Sequence, residues 1–237
     1  MIRIGTAGWS IPKPHAAEFP AEGTHLQRYA LRFSAVEINS SFYRPHKPAT
    51  YARWAVSVPS GFRFAVKVPR EITHVRKLVT TTDALDRFLS EAGALGDRLG
   101  PLLVQLPPSF RFDERLVGGF FDSLRVRFDG NVVCEPRHAT WFADAADALL
   151  VDFRIARVAA DPATVPRAAV PGGWQGLIYR RLHGSPRMYY SGYPAEFLAA
   201  VAGAMDETRD DWCIFDNTAL GEATRDALDL VRRMPPE

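Results

Sequence analysis

The stretch VVCEPRH, residues 132–138, carries the pattern that determines the expected fold. Its apolar start has the composition of a β-strand, and it ends abruptly in Glu135, Pro136, Arg137 and His138. A buried Glu or Arg costs free energy unless it is paired or used. Similar polar endings close other apolar runs, at VEIN (36–39), VKVP (66–69), VQLP (104–107), RLHG (181–184) and FDN (215–217). We therefore expect the polar residues at these strand ends to mark a site.

Strand-like and helix-like patterns alternate along the chain. The predicted strands are residues 2–6, 35–38, 62–68, 101–106, 131–134, 154–159, 177–183 and 212–215. Helical spacing of apolar residues separates most of them, but residues 161–175 contain three prolines and two glycines and are predicted to be a loop. Such alternation implies parallel strands with helical crossovers.

Eight strand-like units in 237 residues fit a single TIM-like (β/α)8 barrel, an α/β fold, over residues 1–237, with the helix after strand six missing or replaced by a loop. A doubly wound open sheet is the alternative. It normally carries a glycine-rich phosphate loop after its first strand, and GTAGW at residues 5–9 does not match G-x-G-x-x-G. The barrel is therefore our prediction.

Composition narrows the classes of protein. The net charge of +2 and the 24% of charged residues argue against a protein that is strongly basic, as many nucleic-acid-binding proteins are, or strongly acidic. A local basic patch is still compatible with this composition. Cys134 and Cys213 fall in predicted strands and are interpreted as buried thiols of a reducing compartment. The first residues lack the apolar region of a signal peptide, and no run reaches the ~20 apolar residues that span a bilayer. We expect a soluble cytoplasmic protein with no membrane partner.

In a (β/α)8 barrel the strand ends open on one face, where active sites lie. Glu37 and Asn39 share one side of their strand by the period-two rule. Glu135 supplies a second carboxylate, and two carboxylates on different strands suit acid/base hydrolysis. The competing interpretation is structural: Glu37 pairs with a nearby Arg or Lys, and Glu135 pairs with Arg137 or Arg181.

Lys67 lies inside an apolar run, in a chain with only four lysines. We interpret it first as a buried ion partner of Glu37 or Glu135. A second interpretation is an anchor for a phosphate or carboxylate, and a third is a Schiff-base lysine whose amine burial keeps neutral. The predicted catalytic residues are Glu135, Glu37, His183 and Lys67.

Further polar and aromatic residues near the strand ends are predicted to bind ligand. They are Trp9, Asn39, Phe42, Tyr43, His74, Gln105, Arg137, His138, Trp141, Arg181, Arg187, Tyr193, Asp216 and Asn217. The amides of residues 216–218 could hold an anion at the start of the last helix, unless Asp216 or Thr218 only caps that helix.

A metal site has the right residue types but no recognised spacing. Glu37, Glu135, His183 and Asp216 are suitable ligands, yet H-x-H, H-E-x-x-H and Cys/His pairs at metal spacing are missing from the sequence. We therefore predict no cofactor and keep a divalent metal as an alternative.

The chain resembles the YecE-like proteins, domain of unknown function family 72. The matching motifs run through nearly the whole sequence: GTAGWS (5–10), VEINSSFY (36–43), FAVKVP (64–69) with Thr73 and His74, LVQLPP (103–108), EPRH (135–138) with Trp141, RLHG (181–184), YSGY (190–193) and FDNT (215–218). The resemblance implies a TIM-like barrel without the sixth helix, and it supplies no established reaction. The family's likeness to barrel endonucleases of the endonuclease IV type implies nucleic-acid or metal roles. Asp216 and Asp226 stand where the family usually has Asn, so equal function across the family does not follow.

Three functions are consistent with these residues. The leading hypothesis is an enzyme, a hydrolase or lyase, acting on a phosphorylated ring-bearing small molecule such as a nucleotide or sugar phosphate. The second is a nucleic-acid binding or metal-dependent phosphodiester-processing protein, with Arg44, Arg70, Arg137 and Arg187 interleaved with aromatics. The third is a non-catalytic ligand-binding barrel.

Overall fold

The structure is a computed structural model that describes residues 1–235 of the chain. Its strands are β1 (Ile2–Thr6), β2 (Ala35–Ile38), β3 (Arg63–Lys67), β4 (Leu99–Gln105), β5 (Val132–Glu135), β6 (Ile155–Arg157), β7 (Ala159–Asp161), β8 (Gly172–Gly173), β9 (Leu177–Leu182) and β10 (Asp210–Phe215). Its α-helices are α1 (His25–Ala30), α2 (Pro48–Val56), α3 (Thr82–Ala92), α4 (Glu114–Arg125), α5 (Asp144–Asp152), α6 (Ala195–Gly203) and α7 (Glu222–Arg233).

Local sequence signals explain where several helices begin. Thr24 and Gln27 form a reciprocal capping box at the start of α1, as their spacing predicts. The Asp113 side chain accepts a hydrogen bond from the Leu116 amide and caps α4. No helix in the described part of the chain combines the length and apolar character needed to cross a membrane.

The strands form two sheets in which almost every pair is parallel. One sheet has the order β1-β10-β9-β7, and the other has the order β2-β3-β4-β5-β6-β8, with only the short β8 antiparallel. The fold is therefore mixed α/β with parallel sheets. The strand pairing is not one closed ladder, so the barrel prediction is confirmed only to that coarser level.

The segment between β7 and β9 is irregular, as its prolines and glycines predict. Within these described residues it contains no α-helix, only a 3-10 turn at Pro166–Ala169 and the two-residue strand β8. The sixth predicted strand is also divided, because Val158 separates β6 from β7. These two short strands belong to different sheets, so the chain passes from one sheet to the other here.

Side chains from both sheets share one interior. This interior cluster consists of Ala35, Ala65, Leu103, Val133, Ala156, Val158, Leu177, Tyr179, Trp212 and Ile214. Tyr179 and Trp212 stack with ring centroids 5.7 Å apart. A larger apolar core lies outside the strands, where helix side chains such as Leu85, Phe121 and Leu228 pack. The interior cluster forms the floor beneath the polar strand ends.

Gly100 is expected to tolerate no side chain, because the Trp212 ring lies against it. A Cβ at Gly100 would lie 2.7 Å from this ring. We expect Gly100→Ala to lower the free energy of unfolding by about 1–3 kcal/mol, the usual cost of overpacking. Gly119→Ala in α4 is the matched control, since a Cβ there meets nothing within 4 Å. Chemical denaturation of both variants checks the difference, and equal stability would contradict this packing.

Candidate functional site

Arg181 is the centre of a buried ion network at the carboxyl ends of the strands. It is completely buried, and so are Glu37 and Glu135. Its Nε and Nη2 donate to Glu37 at 2.9 and 2.7 Å, and its Nη1 donates to Glu135 at 2.6 Å. Nη2 also donates to Asp216 at 2.9 Å. One guanidinium on β9 therefore holds two carboxylates of the other sheet and one that follows β10.

The network keeps its members charged despite their burial. Burial alone would raise the pKa of Glu135, but Arg181, Arg137 and His183 hold it well below its usual range. Burial alone would lower the pKa of Arg181, but the surrounding carboxylates, Glu135 first, raise it well above its usual value. Because a general acid must carry a proton near the working pH, Glu135 is unsuited to that role. The structural interpretation of Glu37 and Glu135 is therefore the one the geometry favours.

His183 links two of these carboxylates. Its Nδ1 lies 3.1 Å from Asp216 Oδ2, and its Nε2 lies 2.9 Å from Glu135 Oε1. Arg137 approaches the same Nε2 at 2.7 Å and Glu135 Oε1 at 2.5 Å. His183 and Arg137 therefore extend the network beyond Arg181. Arg137 Nε is buried and has no hydrogen-bond partner among the described residues.

Lys67 lies beside this network but forms no ion pair with its carboxylates. In residues 1–235 no carboxylate oxygen lies within 4.0 Å of its amine, and the amine instead sits 4.2 Å from the centroid of the Phe42 ring. The interpretation of Lys67 as an ion partner of Glu37 or Glu135 is thus wrong. Arg181 already occupies both carboxylates.

The Lys67 amine has an unusually low proton affinity. Burial first, and Arg181 after it, lower its pKa to about 8, although Glu37, Asp216 and Glu135 act to raise it. Only 6% of the residue surface is exposed. A desolvated amine that loses its proton near neutral pH can act as a base or as a nucleophile.

Asn39, Gln105 and His74 lie near these charges, as the sequence predicts. Asn39 Nδ2 is 3.5 Å from Asp216 Oδ1, and Asn39 Oδ1 is buried without a described partner. Gln105 is in register with Glu135 on the neighbouring strand. The His74 ring meets the Phe42 ring edge-on, and burial together with Lys67 and Arg70 lowers its pKa.

Four residues predicted to bind ligand instead have structural contacts. Trp141 is completely buried and donates to the Phe110 carbonyl. His138 accepts a hydrogen bond from the Thr140 amide and caps a 3-10 turn. Tyr193 and Asn217 have their own partners, because their side chains donate to Asp161 Oδ1 and Asp226 Oδ2, respectively. Aromatic or polar type alone could not distinguish these roles from ligand binding.

The remaining predicted ligand residues lie in different surroundings. Trp9 is half-buried and packs edge-on against Trp54 at 4.9 Å. Phe42 is buried beneath Lys67, whereas Tyr43 is 77% exposed. Arg187 is exposed and stacks over the Tyr190 ring at 3.8 Å.

Two tyrosines near the network were not predicted. Tyr179 donates to Glu37 Oε2 at 3.0 Å, and period-two spacing from Arg181 could have located it. Tyr189 lies edge-on to His183 with ring centroids 5.8 Å apart. Its φ of +69° is rare for a residue with a side chain, and no sequence pattern signals it. Tyr189 is half-exposed, so it lies where the network around His183 meets solvent.

The last helix does not begin at residues 216–218, where the sequence suggested an anion-binding site or a helix cap. It starts at Glu222, after Gly221 with φ of +86°, and has no side-chain cap. The Asp216 side chain turns inward to Arg181, and its amide donates to the Leu182 carbonyl. The prediction that Asp216 caps this helix is therefore wrong.

The proposed metal ligands face a guanidinium. Arg181 lies between Glu37, Glu135 and Asp216, and the part of the chain that the structure describes has no group of three His, Cys, Asp or Glu side chains arranged to hold a metal ion. These oxygens already serve a cation of the protein itself. Cys134 and Cys213 are buried free thiols.

The fold and site define a mixed α/β protein whose parallel strands end in a buried ion network. The family described as "Protein of unknown function DUF72" matches residues 3–237, and the chain belongs to this family. The resemblance to YecE-like proteins is thereby confirmed.

Curated relatives match part of their own length. UPF0759 protein YecE of Escherichia coli K12 is 35% identical over 144 residues, covering 60% of this chain and 51% of YecE. UPF0759 protein YunF of Bacillus subtilis strain 168 is 27% identical over 152 residues, covering 60% of this chain and 53% of YunF. The chain thus spans about half the length of these relatives in each match.

Solved structures share the fold. A DUF72 family protein from Enterococcus faecalis V583 superposes with a TM-score of 0.82 and 21% identity, covering 100% of this chain and 97% of that one. One from Thermotoga maritima MSB8 gives a TM-score of 0.79 and 23% identity, covering 98% of each chain. At these identities the likeness concerns the fold alone.

Proposed function

We propose that the two sheets together form one eight-stranded, TIM-like barrel, in which β6 and β7 count as one strand and the two-residue β8 is left out. The ion network then lies at the mouth of this barrel. A single parallel bridge between Ala7 and Glu37 connects β1 to β2. On the other side, β6 and β7 are consecutive along the chain but belong to different sheets, and β7 is the edge strand of its own sheet. Arg181 also reaches from β9 across the interior to Glu37 on β2 and Glu135 on β5. Barrel enzymes bind substrate at this end of their strands, which supports a functional mouth.

We infer that the chain is an enzyme acting on a small anionic, ring-bearing molecule such as a nucleotide or sugar phosphate. The observation that carries this proposal is the unpaired, almost buried amine of Lys67 beside a network whose carboxylates are all paired. The ammonium form attracts an anion, and the neutral amine takes a proton from the substrate. Arg137, which contacts Glu135 and His183 of the same network, is a second cation that would attract an anion.

This proposal changes the roles of the carboxylates. Glu37 and Glu135 hold Arg181 in place rather than transferring protons, because both are completely buried and bonded to it. Asp216 and His183, which contact each other, lie beside these glutamates in the same network. Lys67 takes the acid/base role that the sequence first suggested for the glutamates.

Turnover of a panel of nucleotides and sugar phosphates, read as phosphate release or product formation, tests the proposal. We expect Lys67→Met to reduce the observed rate by about 100-fold or more, the range of general acid/base catalysis. Lys77→Met is the control because Lys77 is exposed. Equal loss in both variants, or full activity of Lys67→Met, would contradict it. Binding without turnover by the wild type would instead favour a non-catalytic ligand-binding protein.

A second candidate is binding of single-stranded nucleic acid at the rim. The exposed Tyr43 lies next to the exposed Arg44, and Arg187 stacks on Tyr190. Stacking surfaces beside basic side chains suit single strands, and such binding weakens steeply with salt. We would accept this candidate only if affinity for a single strand falls with rising salt and Tyr43→Ala weakens it. Salt-independent binding contradicts it.

A further inference from the structure

Lys67 combines three features that favour an amine nucleophile. It is almost fully buried, its amine has no carboxylate within ion-pair distance among the described residues, and Arg181 acts to lower its pKa. Lysine nucleophiles are activated by desolvation or by a neighbouring cation, and both conditions hold here.

We propose that Lys67 forms an imine with a small aldehyde or ketone that also carries a negative charge. This inference rests on the proposed function and specifies it, since it names a carbonyl group as the point of attack. The anionic part of the molecule would lie towards Arg137, a cation that contacts Glu135 and His183 of the same network.

The electrostatic surroundings of Lys67 come from several elements. The charged or titratable groups that act on it or that it acts upon are Arg181 on β9, Glu37 on β2, Glu135 on β5, Asp216 after β10 and His74 on the segment after β3. Arg181 opposes protonation and the carboxylates favour it. Because no carboxylate contacts the amine directly, burial decides the balance and frees the lone pair near neutral pH.

The step balances without an oxidant or reductant. The Nζ lone pair forms a bond to the carbonyl carbon, and the carbonyl oxygen takes a proton to give a carbinolamine. The carbon–oxygen bond then breaks, and the oxygen leaves as water after it accepts a further proton. One amine proton is released to solvent in the first stage, so the protonated imine forms with net uptake of one proton. The positive nitrogen then draws electrons from the adjacent carbon, as lyase chemistry requires.

Reductive trapping of the wild-type chain tests this inference. The probe is pyridoxal 5′-phosphate, an aldehyde with a phosphate, and pyridoxal is the matched probe without the phosphate. After borohydride reduction at pH 7, peptide mass spectrometry measures labelling at each of Lys13, Lys47, Lys67 and Lys77. The other three lysines are exposed and serve as internal controls. We expect Lys67 to be labelled at least 10-fold more than each of them, and more strongly by the phosphorylated probe.

The outcomes separate this inference from the proposed function. Selective labelling of Lys67 that inorganic phosphate suppresses supports it. Labelling confined to the three exposed lysines overturns the imine while leaving the acid/base role, which Lys67→Met turnover tests independently. If Lys67→Arg, which keeps a positive charge but cannot form an imine, retains turnover of the substrate found, the imine is also overturned.

Discussion

Arg181→Met is expected to lower the free energy of unfolding by about 3–5 kcal/mol, because it leaves buried carboxylates without their cation. Glu37 and Glu135 are completely buried, and their hydrogen bonds to Arg181 include contacts of 2.6 and 2.7 Å. Methionine has similar reach but no charge, so the loss measures pairing more than packing. Urea denaturation monitored by tryptophan fluorescence gives the value.

Two controls separate the buried network from ordinary ion pairs. Arg127→Met removes a partly exposed pair with Asp86, at 2.7 Å, and should cost about 1 kcal/mol or less. Adding Glu37→Gln and Glu135→Gln to Arg181→Met should recover part of the lost stability, since the uncompensated charges disappear. A cost for Arg181→Met as small as that for Arg127→Met would show that the network is not buried as described.

Lys67→Met is expected to stabilise the protein at neutral pH while it lowers the observed rate by about 100-fold or more. The pKa of Lys67 falls from its usual 10.5 to about 8 on folding. Between these values the unfolded chain binds the proton more tightly, so the wild-type free energy of unfolding rises with pH across this window. The methionine variant lacks this rise, and its advantage should shrink by about 3 kcal/mol between pH 8 and 10.5.

The measurement is a series of denaturation curves for both proteins across that pH range. Lys77→Met is again the control, because Lys77 is exposed to solvent. A constant difference between wild type and Lys67→Met would contradict the lowered pKa. A destabilised Lys67→Met with normal activity would indicate a purely structural lysine.

The fold could be predicted largely from periodicity and from the residues that end each strand. The strand predicted at residues 35–38 is observed with the same bounds as β2, and the cap of α4 is Asp113, a residue type that favours this position. The predicted closure of the strands into one barrel is not a local property of the sequence, because strand order and edge pairing depend on contacts between distant segments. The division of strand six at Val158 has no local signal for the same reason.

The sequence predicts which residues meet at the site, but it does not predict the role of each residue there. The convergence of Glu37, Glu135, Arg181 and His183 follows from their positions on parallel strands. The sequence could not say which carboxylate Arg181 would occupy, and therefore could not show that Lys67 would be left unpaired. Tyr189 was missed because its left-handed backbone conformation depends on the loop's tertiary hydrogen bonds.

Titration of the lysine amines tests the central claim most directly. Reductive methylation with ¹³C-formaldehyde labels the four lysines, and Lys67→Arg identifies the resonance of Lys67 in the NMR spectrum. The account predicts that Lys67 titrates with a pKa of about 8. A Lys67 amine that titrates at the ordinary lysine value of 10.5 would contradict the claim that this residue is a desolvated, unpaired amine at the strand ends.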